Sequence, residues 1–310
     1  MEPILTTLRA VAEPTRLRLL ALAAHGELSV SEMMQIVGQS QPRVSRHLKL
    51  LVEARLLERH REGTWAFYRL SEAGDAAVLA RTLIDLVPED DPIAARDLDR
   101  LGQVKQVRAE AAAEYFRAIA ADWHKVRALH VPEAAVERAM VELLDAKRPG
   151  GIGALIDIGT GTGRVLEVLG PHCQRAVGID ITHDMLAIAR VNLEKAGLKH
   201  CQVRHGDMYN LSLPTGGFDL AIFHQVLHYA DDPRAAIAEA ARVLRPTGRL
   251  LIVDFAPHAL ESLRTEHQHR RLGFDDTEIE TWLRAAGLRP VETKRLPGDP
   301  LTVNLWLAAR

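Results

Sequence analysis

Cysteine is scarce in this sequence of 310 residues, where only Cys173 and Cys201 occur. Two cysteines are too few for a disulfide framework and lack the paired spacing of a zinc site. No apolar run approaches the roughly 18 residues of a membrane-spanning helix. Charged residues such as Glu2 and Arg9 interrupt the short apolar run at the start, which does not match the layout of a cleaved export signal. We therefore expect a cytoplasmic protein in a reducing compartment.

An excess of charge of either sign is also missing. Lys and Arg number 39 against 41 Asp and Glu, for a net charge of −2, so any nucleic-acid or membrane signal must be local. Hydrophobic residues make up 47% and charged residues 26%, which excludes wholesale disorder. A chain of this length predicts two domains. Because prolines and acids cluster at 88–92, we predict an N-terminal domain over 1–87, a linker and helical connector over 88–148, and a C-terminal domain over 149–310.

Residues 27–53 predict two helices joined by a short turn. The first helix is capped by Ser29 and closed by Gly38, and the second follows Ser40. In the second helix, hydrophobic residues at positions i, i+4 and i+7 from Val44 face the core. The side chains on its other sides are candidates for contact with DNA: Ser40, Gln41, Arg43, Ser45, Arg46 and His47.

A local excess of positive charge surrounds this second helix. Between residues 40 and 61, six basic residues stand against two acids, and phosphate contacts need that sign. Residues 57–70 predict a hairpin that turns at Glu62–Gly63, with Arg59 and Arg61 near its basic tip. The alternative interpretation is a solvated basic face on an unrelated three-helix domain.

The N-terminal domain resembles the ArsR/SmtB family of winged-helix repressors over nearly all of residues 4–75, in the segments AEPTRLRLLALAAHGELSVSEM and QPRVSRHLKLLVEARLLERHREGTWAFYRLS. The resemblance implies a homodimer formed through residues 4–12 and 75–87. It also implies binding to a double-stranded DNA operator, with release when an effector binds.

Two features of the sequence depart from that family pattern. Ser29 and Ser31 stand where the metal sensors of the family carry Cys-x-Cys, and hydroxyls are poor ligands for soft metals. We therefore expect no metal site of that type. Arg55 replaces the usual glycine after the recognition helix, which predicts a chain reversal on a non-glycine residue at some local cost.

The C-terminal domain alternates apolar, strand-length runs with amphipathic runs, which is typical of a parallel sheet covered by helices. A glycine-rich loop over 159–163 follows the first such strand, 154–158. Such loops serve NAD, FAD, nucleotides and adenosylmethionine alike, but Arg164 stands where the dinucleotide fingerprint wants a third glycine. Asp180 is placed to accept ribose hydroxyls and Asp207 to accept an adenine amine, although either aspartate could instead cap a turn.

This domain resembles the class I S-adenosylmethionine-dependent methyltransferases across about residues 110–310, in the segments DIGTGTGRVLEVL, AVGIDITHDMLAIAR, HGDMYNLSLPTGGFDLAIFHQVLHYADDP and AARVLRPTGRLLIVDF. With the winged helix-turn-helix, the resemblance implies an α/β chain whose second domain is a doubly wound, seven-stranded Rossmann-like sheet in the order 3-2-1-4-5-7-6, with strand 7 antiparallel. It implies S-adenosylmethionine or S-adenosylhomocysteine as the ligand, with the glycine loop on the methionine part, Asp180 on the ribose and Asp207 on the adenine. The positions carried over from the family motifs are Asp157, Gly159, Thr160, Gly161, Gly163, Asp180, Ile181, Met185, Asp207, Met208, His224 and Gln225.

Histidines supply the candidate catalytic groups. His224 and His228 lie four residues apart after the fourth strand and are the candidate bases. Alternatively they shape the pocket, because methyl transfer needs mainly positioning and exclusion of water. We expect His258, His267 and His269, which fall in a later insertion, on the solvated surface.

Three functions are compatible with this pair of domains. The first is a DNA-binding transcriptional regulator with S-adenosylmethionine or S-adenosylhomocysteine as effector and methionine-cycle genes as natural targets. The second is an active small-molecule methyltransferase with an autoregulatory winged helix; Tyr115, Phe116 and Trp123 resemble the lid of such enzymes, although interdomain packing explains them equally well. The third, a metalloid-responsive regulator with a methylating domain, is disfavoured by Ser29 and Ser31 and by the presence of only two cysteines, because arsenite methyltransferases hold the metalloid with several.

Overall fold

The computed structural model describes residues 2–62, 65–71, 74–88, 90–107, 110, 131–148, 150–267 and 269–310. The chain divides into two compact units, Met1–Ala111 and Ala112–Arg310. In the described part of the chain, no helix is both long and apolar enough to cross a membrane.

The first unit consists of helices and a small antiparallel sheet. Its helices are α1 (Glu2–Val11), α2 (Pro14–Ala23), α3 (Val30–Val37), α4 (Gln41–Glu53), α5 (Asp75–Asp85) and α6 (residues 92–107). Its strands are β1 (Leu28–Ser29), β2 (Leu57–Glu62) and β3 (Trp65–Leu70), which pair in the order β1-β3-β2. Strands β2 and β3 form the predicted hairpin, while residues 63 and 64 of its turn lie outside the described residues.

The helix-turn-helix of the first unit forms for the reasons that the sequence indicates. The Ser29 side chain accepts a hydrogen bond from the Glu32 backbone, and the Glu32 side chain accepts one from the Ser29 backbone, which fixes the start of α3. Gly38 ends α3 with a left-handed φ of 71°. Val44 and Leu48 on α4 are fully buried, as predicted, so the opposite side of α4 is left to solvent.

Helix α6 packs on the helix-turn-helix, although its residues belong to the segment predicted as the connector. Leu101 and Val104 are buried in the same core as α2, α3 and α4. Asp97, which is 3% exposed, accepts hydrogen bonds of 2.6 and 2.8 Å from the guanidinium of Arg18 on α2. Arg100 donates to a backbone carbonyl near the end of α3 at 2.9 Å. We call these contacts the α6 clamp.

The second unit is a seven-stranded sheet with helices on both faces. Its strands are β4 (Ala154–Ile158), β5 (Arg175–Asp180), β6 (Cys201–His205), β7 (Phe218–His224), β8 (Leu244–Phe255), β9 (Arg289–Leu296) and β10 (Val303–Ala309). Its helices are α7 (Glu133–Leu143), α8 (Arg164–Leu169), α9 (His183–Lys195), α10 (Pro233–Val243), α11 (Ser262–His267) and α12 (Asp276–Ala285), with short 3₁₀ turns at Gly170–His172 and Leu227–Tyr229.

The strand order confirms the predicted topology. The sheet runs β6-β5-β4-β7-β8-β10-β9, which is 3-2-1-4-5-7-6 when the strands of this unit are counted from β4. Strand β10 is antiparallel to both of its neighbours. Leu155 packs with α7, α8 and α9 on one face, whereas Ile156 packs with α10 and α12 on the other, so the sheet is doubly wound. The carboxyl ends of the parallel strands β4 to β8 lie along one side of the sheet, which we call the carboxyl edge.

Candidate functional site

The carboxyl edge brings together the residues that the sequence predicts around a ligand. The glycine loop 159–163 follows β4, Asp180 ends β5, Asp207 lies two residues after β6, and His224 ends β7. Because these four strands are parallel, their ends lie side by side. The strand order reverses between β4 and β7, and doubly wound sheets bind ligands at that position.

Close packing shapes the glycine loop. Gly159 has a φ of 76°, and a Cβ atom at this position would lie 2.3 Å from the Val226 side chain. Glycine is therefore needed here both for its backbone conformation and for space. Gly161 also has a positive φ of 52°, but a Cβ there would meet no atom of the described residues within 4 Å. The loop thus packs closely against the chain after β7 at Gly159, whereas the described residues leave space beside Gly161.

Asp157 is a buried carboxyl group beneath this loop. Its Oδ2 accepts a hydrogen bond of 2.6 Å from Thr160 Oγ1. Its Oδ1 is buried and has no hydrogen-bond partner among the residues that the structure describes. Burial raises the pKa of Asp157 to about 7, and the nearby charge of Asp180 adds to the increase while the Thr160 hydrogen bond opposes it. A cationic donor on a ligand would supply the hydrogen bond that Asp157 Oδ1 lacks among these residues.

Asp180 ties the end of β5 to the glycine loop. Its Oδ2 accepts a hydrogen bond from the Gly161 backbone and its Oδ1 accepts one from the Thr182 backbone, both at 2.8 Å. Carboxylate oxygens have several acceptor positions, so further donors can bind here. Ile181 follows with 67% of its surface exposed, and Met185 is half-buried on α9. The carboxylate therefore stands beside a small apolar surface.

The remaining predicted ligand residues follow β6 and β7. Asp207 is exposed and accepts a backbone hydrogen bond of 3.0 Å within its own turn, and Met208 is half-buried. His224 is half-buried at the end of β7. Gln225 has a left-handed φ of 51°, and its N–H donates to the carbonyl of Val253 at 2.7 Å. The backbone after β7 is thus held in a conformation that non-glycine residues rarely adopt.

His228 is buried against a carboxylate that the sequence analysis missed. Its Nδ1 lies 2.7 Å from Asp254 Oδ1, and the two residues are 2% and 0% exposed. Asp254 stands near the end of β8, inside the apolar run LLIVDF. An acid inside a buried strand needs a partner, which is the signal that could have identified it.

The prediction that His269 lies on the solvated surface is wrong. His269 is 3% exposed, and its ring stacks on that of His228 with 4.0 Å between the ring centroids. His258 and His267 are half-buried rather than fully solvated. Gly273, with a φ of 83°, explains this burial, because a Cβ there would lie 2.1 Å from a backbone oxygen just after β8. The absence of that Cβ lets the segment after α11 pack closely on the end of β8.

Most residues predicted to contact DNA share the exposed side of α4. The exposed members are Ser40, Gln41, Arg43 and Arg46, and Ser45 is half-buried. His47 lies elsewhere, because its Nδ1 is 3.5 Å from Glu13 Oε2 and its side chain is 15% exposed. Arg55, just after α4, has a φ of 58°, as its place at the predicted chain reversal requires.

The structure describes only part of the predicted wing and none of the predicted lid residues. Arg59 is exposed on β2, and the backbone of Arg61 forms part of the same strand. Three further groups lie outside the described residues: the Arg61 side chain, the turn at 63–64, and the lid residues Tyr115, Phe116 and Trp123.

Comparisons with known protein families match both units. Residues 13–59 match the model described as bacterial regulatory protein, arsR family, and residues 156–252 match the model described as methyltransferase domain. The chain therefore combines an ArsR-type helix-turn-helix with a methyltransferase domain.

Individual relatives match the methyltransferase part. The uncharacterized methyltransferase YcgJ of Bacillus subtilis is 33% identical over 104 residues, which cover 33% of this chain and 41% of YcgJ. An arsenite methyltransferase of Aquipseudomonas alcaligenes is 33% identical over 155 residues, which cover 40% of this chain and 45% of that protein. The chain thus spans less than half the length of these curated relatives.

Solved structures show the same fold. The crystal structure of YcgJ aligns with a TM-score of 0.51 at 21% identity and covers 57% of this chain and 99% of YcgJ. A geranyl diphosphate methyltransferase in complex with SAM aligns with a TM-score of 0.50 at 16% identity, covering 57% of this chain and 85% of that one. At these identities the likeness concerns the fold alone.

Proposed function

We propose that this chain is a cytoplasmic, DNA-binding transcriptional regulator whose methyltransferase domain binds S-adenosylmethionine or S-adenosylhomocysteine as effector. The observation that carries the proposal is the buried Oδ1 of Asp157 beneath the glycine loop, which has no hydrogen-bond partner among the described residues, in a chain that also has an ArsR-type helix with exposed arginines. The first feature suits a ligand with a cationic end, and the second suits DNA.

The residues at the carboxyl edge fit this ligand group by group. Asp157 would accept a hydrogen bond from the ammonium of the methionine part, which the loop backbone can approach closely. Asp180 would accept the ribose hydroxyls. Ile181 and Met185 would cover the adenine ring, and Asp207 would accept its amine. S-adenosylmethionine, when bound, supplies an electrophilic methyl group on a sulfonium sulfur, whereas S-adenosylhomocysteine lacks that group.

The first unit supports contact with operator DNA as a dimer. Arg43 and Arg46 project from the exposed side of α4, where a recognition helix enters the major groove. Dimerisation through α1 and α5 is supported by exposed apolar side chains on them, such as Leu5 at 42% and Val78 at 65%. The residues that follow α6 in the sequence join the two units, so a change caused by the ligand would reach the helix-turn-helix through α6 and the α6 clamp.

Arsenite is not supported as effector or acceptor. Cys201 is buried at the start of β6 and Cys173 is half-buried before β5, so both lie at the edge of the sheet opposite the glycine loop. Burial raises the pKa of Cys173 to about 12, which keeps it a thiol, whereas metal and metalloid capture needs thiolates.

The test measures ligand binding and DNA binding on the same protein. Calorimetry with each ligand should show binding that Asp180→Ala weakens at least about tenfold, through the loss of charge-assisted hydrogen bonds. A duplex selected from a random-sequence pool then serves as the DNA probe. Each ligand is added to the protein–DNA titration, and a change in DNA affinity of about fivefold or more is the expected coupling.

Two variants test the DNA surface. Arg43→Ala should weaken binding to the selected duplex and reduce the dependence of the logarithm of affinity on the logarithm of salt concentration by about one unit. Lys195→Ala, which removes one exposed charge from α9 in the second unit, should change neither. Ligand binding without any effect on DNA would contradict the sensor and favour an enzyme with an autoregulatory winged helix.

A further inference from the structure

The buried pair His228 and Asp254 lies beside the glycine loop. His228 belongs to the 3₁₀ turn that directly follows Val226, the residue that packs on Gly159. Asp254 is the penultimate residue of β8, whose end pairs with the end of β7. The pair is therefore built from two strand ends at the carboxyl edge, where the methyl donor is proposed to bind.

Asp254 fixes both the orientation and the tautomer of His228. Asp254 Oδ1 lies 2.7 Å from His228 Nδ1 and also accepts the Phe255 N–H at 2.8 Å, while Oδ2 accepts the His228 N–H at 3.2 Å. Because a carboxylate only accepts, the proton of the neutral ring belongs on Nδ1. Nε2 then carries a lone pair, and it is buried with no hydrogen-bond partner in the described ranges.

Aromatic and imidazole rings surround His228. His269, Tyr229 and Phe255 have ring centroids 4.0, 4.2 and 5.3 Å from its own. Burial lowers the pKa of His269 to about 3 and also lowers the pKa of His258, so both rings stay neutral near pH 7. His258 Nε2 and both ring nitrogens of His269 are buried without partners among the described side chains and backbone. The surroundings therefore offer hydrogen bonds without charge to an aromatic, hydroxyl-bearing molecule.

We propose that His228 is the general base for methyl transfer to the hydroxyl group of a phenolic acceptor, with Asp254 as its positioning residue. The proposal rests on the donor binding proposed above. The acceptor oxygen forms a bond to the methyl carbon, and the bond from that carbon to the sulfonium sulfur breaks with both electrons on sulfur. The hydroxyl proton moves to His228 Nε2, and Asp254 stabilises the resulting imidazolium.

A phenol fits this arrangement better than other acceptors. Its hydroxyl has a pKa of about 10, within reach of an imidazole base, whereas aliphatic alcohols hold their proton far more tightly. An ammonium or carboxylate acceptor would find no counter-charge on the neutral rings of His258 and His269. Tyr229 and Phe255 add faces against which an aromatic ring can pack.

The first test is transfer of a labelled methyl group from S-adenosylmethionine to panels of simple phenols, amines and thiols, with the full chain. His228→Ala should lower transfer to phenols about 100-fold or more, while donor affinity changes by less than about threefold. Added imidazole should restore part of the rate, because the substitution leaves a ring-sized cavity. His172→Asn, a half-buried histidine at the opposite edge of the sheet, is the matched control and should keep native activity.

A second readout needs no turnover. Nitrogen-15 spectra of histidine-labelled protein should show the Nδ1–H tautomer for His228. Asp254→Asn should populate the Nε2–H tautomer and lower transfer to phenols about tenfold or more, because Nε2, the proposed proton acceptor, would then be protonated.

Each possible outcome separates this proposal from the proposed function. Unchanged transfer in His228→Ala, or an Nε2–H tautomer in the native protein, overturns the general base. Transfer that prefers amines or thiols, or transfer to none of the panel despite donor binding, overturns the phenolic acceptor. Failure of the native protein to bind the donor overturns the proposed function itself. Ligand-dependent DNA binding without methyl transfer overturns the general base and supports the regulator.

Discussion

Asp157 should make the affinity for S-adenosylmethionine depend on pH. In the free protein, burial raises the pKa of this carboxyl to about 7, so it is largely protonated below that pH. In the proposed binding mode, the ammonium of the methionine part would favour the ionised carboxylate and lower this pKa. Binding below pH 7 must therefore release a proton, whereas binding above pH 7 releases much less.

The size of the pH effect on ligand affinity follows from the shift in the pKa of Asp157. The pKa rises from an ordinary value of 3.8 to about 7, which leaves room for the ligand to lower it by up to about three units. Linkage then gives a loss of affinity that approaches tenfold for each pH unit well below 7, and about 15-fold between pH 7 and pH 5.5, because half of the carboxyl is already protonated at pH 7. Asp157→Asn should bind about 10- to 100-fold more weakly near pH 7.5, for one lost charge-assisted hydrogen bond, and its affinity should hardly change with pH. The two proteins should therefore converge at low pH.

Calorimetry between about pH 5.5 and pH 7.5, in buffers of different ionisation enthalpy, measures both affinity and proton release. Asp219→Asn is the matched control: the same chemical change at the opposite edge of the sheet, where Asp219 pairs with Arg245 at 2.7 Å, should keep the pH dependence. A native affinity that changes less than about threefold over this range, without proton release, would refute the reasoning. So would an equal pH dependence in Asp157→Asn.

Three further predictions concern stability and space. Asp97→Ala removes the carboxylate of the α6 clamp and should lower the free energy of unfolding by about 3 kcal/mol in urea titrations. The control Glu53→Gln breaks an exposed ion pair and should lower it by less than about 0.5 kcal/mol. Equal effects of the two substitutions would contradict a buried clamp. Arg55→Gly should stabilise the protein by roughly 1 kcal/mol in the same assay, because φ is 58°, and a loss of stability would contradict that strain. Gly159→Ala should abolish donor binding in calorimetry, because its Cβ would lie 2.3 Å from Val226, and native affinity would show that the loop is free to move.

The fold and much of the candidate site could be predicted because their signals are local. A capping box at Ser29, a strand followed by glycines at Gly159, and an aspartate at the end of a strand such as Asp180 each specify a short piece of backbone. Parallel strands then bring those pieces to one edge without further information.

The features that escaped prediction depend on tertiary packing. Asp254 sits in an apolar run, and only the fold shows that its partner comes from the turn after β7. His269 is brought to that pair by a segment whose close approach depends on a single glycine, Gly273. Helix α6 falls after a proline-rich boundary, but Leu101 and Val104 bury it with the helices before that boundary.

Strand β10 is the last strand in sequence, yet it lies inside the sheet between β8 and β9. Among the described strands β9 pairs only with β10, so it lacks a strand partner until residues 303–309 have left the ribosome. The first unit is complete at residue 111, so about 200 residues, or roughly 10 to 40 s of synthesis, separate the two events. A nascent chain of this protein would expose a finished helix-turn-helix unit well before its methyltransferase domain can fold.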